Sequence, residues 1–107
     1  MRAIHHPPVE DLALTRVLYA LSDPVRLGVV RQLAEAGEAT CSALDGGRPK
    51  SSMSHHFRVL REAGLVRTRT DGPAHMNELR RADIEQRFPG LLAAVLAAPP
   101  ESGDAAL

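Results

Sequence analysis

Apolar residues recur at helical spacing along most of the chain. From Val9 to Leu21, the residues Leu14, Val17, Leu18 and Leu21 form one stripe at i, i+3, i+4 and i+7, which predicts a helix. Leu12, Tyr19 and Ala20 lie off that stripe, so the helix is apolar on more than one side. In a small domain this pattern predicts one side in the core and another against a partner. Ser22-Asp23-Pro24 then supplies a capping side chain followed by proline at the first turn. The second helix it opens runs to Ala36 and stops at Gly37, with Val25 or Leu27, Val29, Val30 and Leu33 as its apolar stripe. A short third helix is predicted over Thr40–Leu44. Asp45-Gly46-Gly47-Arg48-Pro49 makes a turn, and a fourth helix spans Lys50–Ala63, closed by Gly64. Its inward stripe is Met53, Phe57 and Leu60, with His56 and Val59 beside it. Ser51, Ser52, Ser54, His55, Arg58, Arg61 and Glu62 fill the other side.

The period then changes. Leu65–Thr70 and Ala74–Leu79 read as strands around an Asp71-Gly72-Pro73 turn, with Arg67 and Arg69 on one face of the first. Ile84, Phe88, Leu91, Leu92, Val95 and Leu96 return to helical spacing. Pro89 disfavours helix at Phe88, which predicts a short helix over 83–87 and another from about 90 to 97. Residues 1–8 read as a disordered arm, 9–98 as one folded domain and 99–107 as a frayed tail. The fold class predicted is mainly α with a small β-hairpin.

A chain of 107 residues fits one domain. Its core would be marginal alone, which favours oligomerisation. With only Tyr19, Phe57 and Phe88 as aromatics, that core must be aliphatic. No apolar run is long enough to cross a membrane, and the first eight residues lack the apolar stretch of a signal peptide. Cys41 is the single cysteine, which excludes an intramolecular disulfide and any all-cysteine metal site within one chain. The expected compartment is the cytoplasm.

The formal net charge is zero, but the charge is unevenly spread. Residues 46–81 hold eight basic side chains against three acidic ones, a net of +5. The segments on either side are net acidic. A basic block of this kind suits a nucleic-acid face and equally suits a solvated surface.

The order of elements separates those readings. Two helices joined by a glycine-containing turn and followed by a hairpin make a winged helix-turn-helix, whose second helix enters the major groove with its N-terminal residues foremost. Here these are Lys50, Ser51, Ser52, Ser54 and His55, with Arg58 one turn on. Short hydroxyls and a long cation reach base edges and phosphates without wedging the helix away, and the helix start adds unpaired amides. The wing carries Arg67 and Arg69. A helix start rich in serine also caps itself, Ser51 being the candidate, but capping does not account for the basic hairpin. Catalysis is excluded: Ser54 and His55 are neighbours on a helix and diverge by about 100°, and no phosphate loop or paired-carboxylate motif is present.

Leu21-Ser22-Asp23-Pro24-Val25-Arg26-Leu27 resembles the opening of the second helix in the ArsR/SmtB family of winged-helix repressors. Ser51 through Val66 is similar to that family's recognition helix and first wing strand. The resemblance implies a homodimeric, sequence-specific transcriptional regulator bound to palindromic double-stranded DNA and released by an inducer. It implies groove contacts from Lys50, Ser51, Ser54 and His55, backbone contacts from Arg67 and Arg69, and a dimer interface of the first and last helices, here Leu12, Tyr19, Phe88, Leu92 and Val95. The competing function is a winged helix whose basic face binds an acidic protein.

Departures from the family bear on its effector. Many members hold metal through a C-x-C in the third helix; here Cys41 falls between the two cysteine positions, and thiolate sites need at least two soft ligands. Asp83 and Glu85 stand on the last helices without a histidine. The second wing strand carries Ala74, His75, Met76 and Asn77 where large aromatics are usual, so a less anchored wing is expected. No cofactor is required. For His5 and His6, beside Glu10 and Asp11, two readings stand: a solvated tail, or a nickel or zinc effector site completed by the partner subunit. Cys41 is expected to be a small core residue and His56 a partly buried one.

Overall fold

Leu12 and Ala13 are extended, and this breaks the first predicted helix in two. The computed structural model describes residues 4–100, so residues 1–3 of the expected arm and 101–107 of the expected tail lie outside it. A single 3-10 turn at Val9–Asp11 precedes the break, and helix α1 (Leu14–Leu21) follows it. The cause is tertiary. Leu12 is buried against Gly64, and its carbonyl accepts from Arg87 Nε at 3.1 Å. A continuous helix would pull both contacts apart.

Asp23 caps α2 (Pro24–Ala36), accepting from the Val25 and Arg26 amides at 2.9 and 3.1 Å. Val29, Val30 and Leu33 of α2 enter the core. The chain then forms β1 (Glu38–Thr40), α3 (Cys41–Leu44), α4 (Lys50–Ala63), β2 (Val66–Asp71), β3 (Ala74–Leu79), α5 (Arg81–Arg87) and α6 (Leu91–Ala97). Thr40 caps α3 through its hydroxyl, and the turn to α4 uses Gly46 and Gly47 at φ 59° and 80°, a region other residues rarely enter.

Strand β1 was not foreseen. It turns the expected hairpin into a three-stranded antiparallel sheet of order β1-β3-β2, with Ala39 opposite Asn77 and Asn77 opposite Thr68. Asn77 is fully buried at this crossing. It accepts from Thr68 Oγ1 at 2.6 Å, and its amide nitrogen lies 3.3 Å from the Ala39 carbonyl and from Cys41 Sγ. The wing therefore has an anchor of buried hydrogen bonds where aromatics were missed.

The core gathers Val17 and Ala20 of α1, the α2 stripe, Leu44, Met53, Phe57, Leu60, Ala63, Leu65, Val66, Ile84 and Leu92. The two apolar sides of α1 divide into Val17 and Ala20, which are buried, and Leu14 and Leu18, which are about half exposed. One expectation is corrected here. Leu12 and Leu92, expected at a dimer interface, are 2% and 3% exposed and belong to this chain's own core.

Candidate nucleic-acid interface

Helix α4 has one fixed side and one open side. Met53, Phe57 and Leu60 are buried and lock its rotation. Lys50, Ser51, Ser52, Ser54, His55 and Arg58 are exposed together on the remaining surface. Its N-cap is Pro49, with no side-chain cap, so the reading of Ser51 as a cap does not hold. The first-turn amides are left for a ligand, and the positive end of the helix dipole points outward with them. Ser52 Oγ donates to the Pro49 carbonyl at 3.0 Å. His55 Nδ1 lies 3.5 Å from Arg58 Nη2. Lys50 has no ion pair among the described residues, so its charge is open to an anion. A shallow groove of about 300 Å³ runs beside this helix start, lined by Cys41, Ser42, Asp45, Lys50, Met53, Ser54, Phe57 and His75.

The wing arginines share one exposed face, as the alternation requires, and both are engaged. Arg69 clasps Glu38 at 2.9 and 3.3 Å, which holds the Glu38 carboxyl below its ordinary value and raises Arg69. Arg67 lies 3.4 Å from Asp83 and 3.9 Å from Glu78. Arg80, nearly buried, donates to the same Asp83 at 2.9 Å, and its Nη1 has no partner among the described residues. Sequence periodicity carries no sign of these long-range carboxylates.

His6 sits at the base of the wing, its Nε2 accepting from the Thr68 amide at 3.0 Å. Burial, then Arg67, Arg80 and Arg61 nearby, lower its basicity. While Nε2 accepts this bond the neutral ring carries its hydrogen on Nδ1, so neither nitrogen offers a free lone pair until the contact is released. Among the described residues no group of three His, Cys, Asp or Glu side chains is placed to hold a metal ion.

Of the other residues expected at an interface, Tyr19 is 59% exposed, and Phe88 and Val95 are half-buried. Leu14 and Leu18 join Tyr19 on the open side of α1.

A helix-turn-helix with its second helix so presented, followed by a β-hairpin, defines a winged helix-turn-helix domain of the DNA-binding class. Residues 21–69 match the family model for a helix-turn-helix domain. The chain is 34% identical over 86 residues to YceK, an uncharacterized HTH-type transcriptional regulator of Bacillus subtilis strain 168, spanning 78% of this chain and 86% of that one. It is 32% identical over 73 residues to an arsenical resistance operon repressor of Staphylococcus xylosus, covering 67% and 70% of the two chains. In structure it is similar to the homodimeric winged helix-turn-helix DNA-binding domain of a possible ArsR-family transcriptional regulator from Mycobacterium bovis, with a TM-score of 0.63, 25% identity and 76% of each chain covered. The chain belongs to the ArsR family of helix-turn-helix transcriptional regulators.

Proposed function

We propose that this regulator acts as a symmetric homodimer on a palindromic operator, with the N-terminal half of α4 in the major groove of each half-site. The observation that carries this reading is the open face of α4. Six polar or cationic side chains project from a helix whose opposite side is anchored by Met53, Phe57 and Leu60. Ser54 and His55 would reach base edges, and Lys50, Arg58 and the free amides would hold phosphates. Arg67 and Arg69 would contact the backbone by exchanging carboxylate for phosphate, an easy trade because exposed ion pairs are weak and screened by salt. Leu14, Leu18, Tyr19, Phe88 and Val95 would make the dimer interface; the homodimeric relative supports a partner for α1. An effector that releases the DNA, a metal ion by analogy with the arsenical resistance repressor, would need ligands from a second chain or a moved arm, because His6 is engaged with Thr68.

The test is salt-titrated binding to a duplex selected from a random library by the protein itself. Ser54→Ala should change the preference among sequence variants by about 1–3 kcal/mol. Arg67→Ala should weaken all duplexes alike and flatten the salt slope by about one per subunit. Identical behaviour of the two variants would overturn the division between reading and holding. Binding insensitive to salt would overturn the DNA interface.

A further inference from the structure

A buried cation ties the recognition helix to the helix whose open face awaits a partner. Arg26 sits within the apolar stretch of α2 and is 5% exposed. Its three donor groups are all used. Nε donates to the Ala20 carbonyl at 2.8 Å, Nη2 to the Tyr19 carbonyl at 3.2 Å, and Nη1 to His56 Nδ1 at 3.2 Å. The guanidinium also stands 5.1 Å from the centre of the Tyr19 ring. The two carbonyls close the last turn of α1, the end of a helix that favours a cation; the Tyr19 carbonyl accepts from the Ser22 amide and hydroxyl as well, at 3.1 and 2.6 Å. His56 is in the second turn of α4, beside the exposed His55. One side chain therefore spans from the end of α1 to the middle of α4.

The third contact has a protonation state. Arginine only donates, so His56 Nδ1 must carry a lone pair and the ring must be neutral, with its hydrogen on Nε2. A proton on Nδ1 would set an N–H against the guanidinium. Asp23 Oδ2 lies 3.9 Å away and already receives the Val25 and Arg26 amides. The charged groups around the ring are Asp23 and Arg26 at the start of α2, Arg48 in the turn before α4, and His55 on α4 itself. Burial, then Arg26, His55 and Arg48 against the opposing pull of Asp23, lower the basicity of His56. The contact is thus closed at neutral pH and opens on acidification.

We propose that Arg26, acting through neutral His56, is a positioning residue that fixes the orientation of the recognition helix relative to α1. It touches no base or phosphate. It holds α4 so that Ser54 and His55 of the two subunits meet the groove together. This rests on the reading of α4 as the DNA-reading helix.

The probes are the duplex selected by wild type from a random library and a scrambled duplex of the same composition. His56→Asn keeps an acceptor near the Nδ1 position and cannot be protonated there. His56→Leu removes the acceptor. His56→Leu should lower the preference for selected over scrambled duplex by about tenfold, a typical coupling between sites, with affinity for the scrambled duplex unchanged. His56→Asn should keep the preference and abolish the loss of preference expected of wild type as pH falls below about 6.5, the ordinary imidazole value. The pH series is read in a His55→Gln background, which removes the neighbouring imidazole placed at base edges and leaves His56 as the ring under test. A ratio within about twofold of wild type for His56→Leu would overturn the proposal, as would His56→Asn losing preference like His56→Leu or keeping the wild-type pH profile. A library that yields no selected sequence would overturn the DNA reading and this proposal with it, whereas a selected sequence with unchanged ratios would overturn this proposal alone.

Discussion

Leu18→Glu sets a carboxylate in the middle of the apolar face that α1 leaves outside the core. Leu14, Leu18 and Tyr19 are 45%, 46% and 59% exposed, while Val17 and Ala20 on the same helix are fully buried. Burying a whole leucine side chain contributes about 1.5–3 kcal/mol. Roughly half of Leu18 is already covered, so an interface would gain about 1 kcal/mol from the rest, and a two-fold axis makes the gain appear twice. The substituted carboxylate adds a desolvation penalty of several kcal/mol per subunit. The sum is at least about 5 kcal/mol, or more than about a thousandfold in the dimer dissociation constant. In the isolated chain the same change stays at the surface, where substitutions act within about 0.5 kcal/mol, so the fold should survive. Leu92→Ala is the counterpart. Leu92 is 3% exposed in the core, and the cavity should lower folding stability by about 2–5 kcal/mol without entering the interface. Sedimentation equilibrium reads the mass and urea unfolding reads the stability. Leu18→Glu at wild-type dimer mass, or a wild type that is monomeric at every concentration, would refute the assignment of this face.

Two further outcomes follow from the geometry. Gly64 ends α4 at φ 87°, and a Cβ there would strike the Leu12 side chain; Gly64→Ala should destabilise by about 2–5 kcal/mol from left-handed strain and overpacking together, and an unchanged urea midpoint would contradict it. His6 is less basic than a free imidazole, through burial and then Arg67, Arg80 and Arg61, so its neutral form supports the fold above the unfolded value near pH 6.5 and that support is lost as pH falls through the lowered folded value. His6→Ala should therefore differ from wild type in melting temperature at about pH 8 and converge with it near about pH 5; a gap that widens in acid would reverse the sign.

Local signals determined much of this protein from sequence alone. The bounds of α4, Lys50 to Ala63, follow from a period of 3.6 and a closing glycine, and the cap on α2 follows from Asp23 before Pro24. The alternation around Arg67 and Arg69 placed both on one face of β2. Each of these is decided within a few residues, by backbone sterics and side-chain period, so a short window holds the information. The row Lys50, Ser51, Ser52, Ser54, His55 and Arg58 was legible for the same reason: the buried face of a helix names its open face.

Tertiary structure decided what a window cannot contain. Helix α1 has two apolar faces of similar quality, and only the surface offered by α2 and α4 selects Val17 and Ala20 over Leu14 and Leu18. Strand β1 is three residues long, too short to show a period, and exists because β3 offers it an edge. Leu12 leaves the helix because Gly64 and Arg87 wait for it. The contacts of Arg26 with His56, Arg69 with Glu38 and Thr68 with His6 join residues 30, 31 and 62 positions apart. Burial and pairing of a charged side chain depend on where other elements pack, so an arginine within a helical stripe looks like surface until the fold brings two carbonyls and an imidazole around it.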